Sequence, residues 1–334
     1  MSRTKPTIAL FAGDPAGIGP ELVARLLSDG AASRSANIYV VGSREALEEG
    51  MRVAGCRFVY EEDVPHPERG DFDTPILARG PVHDALGFER GAVTAKSGRY
   101  MLDALAFCVA MCSNGTADAL CFAPLNKAAL RAGGMDHPDE LHWFAEVLDF
   151  RGTCVELNVL ETLWTSRVTS HVPLSEVARL ITKEKVAEQV GLIHASLVRA
   201  GIERPRIAVC GLNPHNGDNG AYGREEIDII APGVEMARAK GIPAEGPFPA
   251  DTIFVSATNK GGGFDGVVTM YHDQGQIALK LLGFDRGVTV QGGLPMPITT
   301  PAHGTAYDIA GRGVANAGAM KNAFALACAM GKGA

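Results

Sequence analysis

Short apolar runs alternate with helically spaced apolar positions along most of this 334-residue chain, the pattern of an α/β protein. Residues 7–12 predict a first strand and residues 20–27 the helix after it. Residues 37–41 predict a second strand, with a helix opening at Ser43. Residues 97–112 carry Met101, Leu102, Leu105, Phe107 and Cys108 at helical spacing, and 117–123 read as a buried strand. Strands follow at 163–170, 206–212 and 266–271, with helices at 174–181, 184–200 and 225–240. An Ala- and Met-rich helix at 315–330 suits a buried place or an interface, and the Pro- and acid-rich stretch 61–73 suits a surface excursion. No repeat and no sharp linker divides the chain, so two interwoven lobes are expected.

Three of the predicted strands end in a histidine: Val168-Thr169-Ser170-His171, Gly211-Leu212-Asn213-Pro214-His215 and Val268-Thr269-Met270-Tyr271-His272. In an open α/β sheet the carboxyl ends of the strands face the ligand crevice. Three imidazoles brought there could hold one divalent metal and leave positions open for substrate. Asp273 would add a carboxylate beside the metal. The alternative is that each histidine is an ordinary loop residue closing its strand.

Composition narrows the setting. The chain is 46% apolar and 21% charged, an ordinary soluble balance, and 40 glycines suit many tight βα turns. A net charge of −7 argues against nucleic acid as the main partner. None of the seven cysteines forms a CxxC pair, which fits buried thiols in a reducing compartment. No apolar stretch approaches membrane-spanning length and the first strand is too short for a signal peptide, so the expected location is the cytoplasm.

Two glycine-rich segments remain. The first βα turn reads Gly13-Asp14-Pro15-Ala16-Gly17-Ile18-Gly19-Pro20-Glu21, and a late segment reads His303-Gly304-Thr305-Ala306-Tyr307-Asp308-Ile309-Ala310-Gly311-Arg312-Gly313. Neither is a GxGxxG fingerprint. Together they resemble the first glycine turn and the adenosine-binding loop of the isocitrate and isopropylmalate dehydrogenases. The closer resemblance, over residues 13–330, is to the 4-hydroxythreonine-4-phosphate dehydrogenase family. It rests on Ala123-Pro124-Leu125-Asn126-Lys127, Gly211 to His215, Gly246-Pro247-Phe248-Pro249-Ala250-Asp251-Thr252, and Tyr271-His272-Asp273-Gln274-Gly275, extended by Lys280, Gly283-Phe284 and Arg286-Gly287-Val288.

The resemblance implies a two-lobed fold of the isocitrate/isopropylmalate dehydrogenase type, with mixed sheets and the active site in the cleft between lobes. One lobe, about 1–130 plus 295–334, would take NAD or NADP, with Gly13, Asp14, Gly17, His303, Gly304, Thr305 and Asn316 as cofactor contacts. The other, about 131–294, would carry the metal and the dimer contact. It implies metal ligation by His171, His215 and His272 at a homodimer interface, hydride transfer from a metal-chelated secondary alcohol to NAD(P), and loss of CO2 from the product. Three imidazoles suit Zn, Co, Mn or Fe, and Mg, also a candidate, prefers more oxygen ligands. Lys280 matches a substrate lysine. Asp251 and Asp273 are candidates for proton transfer or for orienting the histidines, and Arg286 for meeting an anion.

The chain departs from the family where substrate is held. Aligned on Phe144-Ala145-Glu146, the family's substrate-contacting histidine and threonine become Glu140 and Leu141, and two later contacts, an asparagine and an arginine, become Thr289 and Ile298. A phosphate dianion favours bidentate Arg and neutral or cationic donors. The same chemistry on a threonate- or erythronate-type polyol acid, or on a cyclic diol carboxylate, is therefore the alternative to the family substrate. A catalytically inactive ligand-binding member is a second alternative.

Overall fold

The computed structural model describes residues 4–258 and 263–332. The chain forms two compact units, Met1–Cys154 with Val288–Ala334, and Val155–Gly287. The first break thus falls at Cys154, further along than the residue-130 expectation.

In chain order the strands are β1 (Thr7–Phe11), β2 (Asn37–Val41), β3 (Glu61–Asp63), β4 (Ile76–Ala78), β5 (Ala119–Phe122) and β6 (Val155–Leu160). They continue with β7 (Leu163–Arg167), β8 (Ile207–Cys210), β9 (Ala244–Phe248), β10 (Gly266–Thr269), β11 (Val288–Gly292) and β12 (Ile298–Pro301).

In the first unit the order is β3-β4-β2-β1-β5-β12-β11. Its pairs are parallel except β11 with β12, so the sheet is mixed. Every residue of β1 and β2 is buried, as parallel strands covered on both faces require. Helix Ala95–Ser113 packs over β1 and β5, and helix Gly318–Lys332 over β5 and β12. Phe11, Tyr39, Met101 and Phe144 anchor the core, each side chain of this kind contributing about 1.5–3 kcal/mol by burial. Part of the expected surface excursion is ordered: Glu61–Asp63 pairs with β4 as an edge strand whose acidic residues deter further pairing.

In the second unit the order is β6-β7-β10-β8-β9. Strands β7, β10, β8 and β9 run parallel and β6 runs antiparallel to β7. Val267 on β10 lies between Thr165 of β7 and Ala208 of β8. Helix Lys183–Arg199, capped by the Thr182 hydroxyl, covers β7 and β10. The helix expected over 225–240 is a π turn, Glu226–Ile230, followed by an α-helix, Ala231–Ala239. Pro232 has no N–H to give back to an α-helical carbonyl, so the hydrogen-bond register changes there. Among the described residues no helix is long and apolar enough to cross a membrane.

Candidate functional site

The strand order of the second unit puts the three histidine-bearing strand ends side by side. β10 pairs in parallel with both β7 and β8, so His171, His272 and His215 follow the carboxyl ends of three adjacent strands. A chain that returns between two earlier strands sends its connections to opposite sides, which opens a crevice at those ends.

His171 and His272 are drawn together, with ring centroids 5.7 Å apart. They line a depression of about 250 Å³ with Ser170, Leu174, Tyr271 and Asp273. Asp273 is exposed, and its Oδ1 lies 2.7 Å from His272 Nδ1. A carboxylate only accepts, so this contact places the proton on Nδ1 and leaves the Nε2 lone pair for a cation. Ser170 Oγ lies 3.3 Å from His171 Nδ1. His171 sits at φ 43°, in the left-handed region that a non-glycine residue seldom adopts.

His215 is not gathered to the other two, and its ring faces Tyr222 at a centroid distance of 6.3 Å. Among the described residues no three His, Cys, Asp or Glu side chains stand close enough to hold a metal ion. The donor chemistry nevertheless suits a divalent ion at His171 and His272, where among the described residues no hydrogen bond engages either Nε2.

The turn carrying His215 is built with unusual care. His215, Asn216, Gly217, Asp218 and Asn219 all have positive φ. Buried Glu226, 3% exposed, organises its approach: Oε1 accepts from the backbone N–H groups of Leu212 and Asn213, each at 2.7 Å, and Oε2 accepts from Asn213 Nδ2 at 2.9 Å. Burial works against ionisation of Glu226, but these donors prevail and hold its carboxyl below the ordinary value. Gln274 joins the loops, accepting from Met270 N at 2.7 Å and donating to Gly211 O at 2.9 Å. Neither Glu226 nor Gln274 was expected as a site element, although Gln274 stands inside a quoted motif.

The remaining candidates divide. Lys280 is exposed in the last turn of helix His272–Gly283 and makes no ion pair among the described residues. Asp251 is exposed in the first turn of helix Ala250–Thr258. Arg286 is engaged by Glu161 and donates to Leu282 O at 3.2 Å, so its guanidinium already serves the protein's own groups. In the first unit, Glu140 is nearly buried, 3.7 Å from Lys127 Nζ. Thr289 is half-buried on β11, opposite Thr300. Leu141 and Ile298, 4% and 0% exposed, pack in the core and present no surface to a ligand. The apolar residue at each place explains why: it joins the core rather than lining a site.

The expected cofactor segments meet within the first unit. Gly13 has φ +76°, and a Cβ there would lie 2.6 Å from Ala123 O, so only glycine fits. A Cβ at Gly17 would come within 2.9 Å of the Thr305 side chain, and Ile18 N donates to Thr305 O at 3.1 Å. Asp14 is fully buried. Its Oδ1 accepts from Ala16 N at 2.9 Å and its Oδ2 from the Tyr307 hydroxyl at 2.5 Å. Burial raises the Asp14 pKa, with the Tyr307 and Ala16 donors partly opposing it, and burial together with this carboxylate raises that of Tyr307. His303 and Gly304 continue the same loop, His303 half-buried and Gly304 exposed. Asn316 is exposed just before the C-terminal helix, its Oδ1 accepting from Gly318 N at 2.8 Å across an Asx turn.

Comparison with known proteins identifies the family. Residues 34–327 match the family model of the pyridoxal phosphate biosynthetic protein PdxA. A Pseudomonas aeruginosa protein, provisionally named 4-hydroxythreonine-4-phosphate dehydrogenase 2, is 55% identical over 329 residues, 98% of this chain and 97% of that protein. The D-threonate 4-phosphate dehydrogenase of Cupriavidus necator is 38% identical over 320 residues, 95% of this chain and 94% of that one. The crystal structure of 4-hydroxythreonine-4-phosphate dehydrogenase from Klebsiella pneumoniae superposes with a TM-score of 0.85 at 35% identity, covering 99% of both chains. The chain belongs to the PdxA family of pyridoxal phosphate biosynthetic proteins, whose relatives are named as dehydrogenases.

Proposed function

We propose that this protein is a metal-dependent NAD(P) dehydrogenase that oxidises a secondary alcohol, with 4-hydroxythreonine 4-phosphate as the first substrate to test. The observation that carries the reading is the placement of His171, His272 and His215 at three adjacent parallel strand ends in a PdxA-family chain. A divalent ion bound there would lower the pKa of the substrate hydroxyl and polarise the carbonyl that replaces it. The chain's own contribution is orientation. Asp273 fixes the His272 tautomer, and Gln274 ties the loops bearing His272 and His215. Lys280, exposed and without an ion pair among the described residues, offers a cation to an anionic substrate. Asp14, Thr305 and the glycine turn of the first unit form the seat for NAD(P).

The second unit also leaves apolar side chains in the open, with Ile277, Leu281 and Leu174 all exposed. Ile277 and Leu281 stand at i, i+4 on the helix that begins at His272, so a homodimer covering them would close on the histidine site. Dimerisation is also the step that would complete a ligand set of which one chain assembles two members.

A second reading is the same chemistry on a polyol acid. The relative from Cupriavidus necator, 38% identical to this chain, is named for D-threonate 4-phosphate. The deciding experiment follows reduced nicotinamide absorbance with metal-stripped protein, restoring each divalent metal in turn and offering both substrates. Metal-restored turnover of either supports the reading, and the preferred substrate decides between its two forms. Turnover that ignores the metal contradicts it.

A further inference from the structure

A buried arginine lies behind His171 and has no part in the function proposed above. Arg167 ends β7 and is 5% exposed, and each of its three side-chain nitrogens donates to a polar partner. Nη2 donates to Glu156 Oε2 at 3.0 Å, Nη1 to Asn158 Oδ1 at 2.9 Å, and Nε to Ser170 Oγ at 2.9 Å. Glu156 and Asn158 lie on β6, which pairs with β7 in the register Asn158↔Thr165, so 156, 158, 165 and 167 share one face of the sheet. Ser170 passes the bracing on, its Oγ standing 3.3 Å from His171 Nδ1. Asn158 Oδ1 also accepts from Gln276 Nε2, on the helix that opens with His272. One polar ladder thus reaches behind both histidine-bearing segments.

A guanidinium is an expensive group to bury when an aliphatic side chain would fill the same space. Its fixed fork can, however, hold three acceptors in one plane, which no aliphatic residue can do. The residue it braces needs bracing, since His171 holds a left-handed backbone that persists only where its surroundings dictate it.

We propose that Arg167 is a positioning residue for His171, acting through the Ser170 hydroxyl to hold the imidazole at a fixed angle for a divalent cation. Glu156 balances the buried charge, and Asn158 ties the arrangement to the helix of His272. The proposal rests on the reading of His171 as a metal ligand.

The test measures Mn²⁺ and Zn²⁺ binding to the full-length protein by calorimetry, with the thermal midpoint of the metal-free protein alongside. Ser170→Ala removes the relay hydroxyl, and with it the acceptor of Arg167 Nε, and is expected to weaken binding about tenfold with a small drop in the midpoint. Ser170→Thr keeps a hydroxyl and is expected to bind within about twofold of the unaltered protein. Glu156→Leu with Arg167→Leu removes the buried pair together, leaving no orphan charge, and is expected to weaken binding at least as much as Ser170→Ala. If the double variant does not fold, the two Ser170 variants decide alone. Full affinity in Ser170→Ala, or equal loss in Ser170→Thr, overturns the proposal. His171→Ala separates it from the reading beneath: unchanged binding there removes His171 as a ligand, whereas loss there with full binding in Ser170→Ala removes only the role of Arg167.

Discussion

Gln274 donates from its carboxamide to Gly211 O at 2.9 Å while accepting from Met270 N at 2.7 Å, so one side chain fastens the end of β10 to the end of β8. Both groups are backbone, and an amide is the side chain that offers a donor and an acceptor side by side. Gln274→Glu keeps the shape but sets a carboxylate oxygen against the Gly211 carbonyl. The variant is expected to lose about 1–3 kcal/mol of stability, read as a lower denaturant midpoint, and to lose turnover more than it loses NAD(P) affinity.

Glu226 makes the second unit sensitive to acid. Its carboxyl pKa is lowered in the fold because the donors of Leu212 and Asn213 outweigh its burial. An acid with a depressed folded pKa contributes stability above its unfolded value, about 4.3, and loses it as pH falls through the folded value. Stability followed from neutral pH downward should therefore decline below that point. Glu226→Gln should flatten the decline and cost about 1–3 kcal/mol at neutral pH. An unaltered pH profile in the variant would show that other acids dominate.

The pair Asp14 and Tyr307 carries the opposite sign. Burial raises the Asp14 pKa, so its contribution is complete below the unfolded value of about 3.9 and is lost as pH rises through the folded value. Tyr307→Phe removes the donor to Oδ2 and should move that loss to higher pH. Since this carboxylate shapes the glycine turn, the same variant is expected to raise the KM for NAD(P) roughly tenfold, or about 1.4 kcal/mol, with kcat changed less. A normal KM would place the turn outside cofactor binding.

Much of the site's framework was legible because local signals carried it. The apolar runs before His171, His215 and His272 are β7, β8 and β10, each ending a few residues short of its expected limit. Their adjacency was not legible: β10 enters between β7 and β8, a pairing over long sequence separation that no local pattern encodes. Leu141, placed by alignment on Phe144-Ala145-Glu146, and Ile298, placed by counting from Lys280, both have their side chains in the core. Asn316 forms an Asx turn ahead of the C-terminal helix, a local bond that the glycine-rich pattern upstream of it does not announce. Glu226 and Gln274 escaped notice since each bonds backbone brought near only by folding.

The exposed apolar pair on helix His272–Gly283 gives a prediction about assembly. Leu281 is 84% exposed and Ile277 59%. If a homodimer covers them, Ile277→Lys with Leu281→Lys should shift the protein toward monomer in sedimentation. Divalent metal binding should weaken in parallel. A dimer that survives both charges would place the interface elsewhere.

The most direct test of the central claim is calorimetric metal binding paired with turnover, in the unaltered protein and in His171→Ala, His215→Ala and His272→Ala. The account predicts tight divalent binding by the unaltered protein, a loss of at least about a hundredfold in each variant, and turnover that disappears with a chelator and returns with metal. Turnover that survives both the chelator and the loss of any one of these histidines would contradict it.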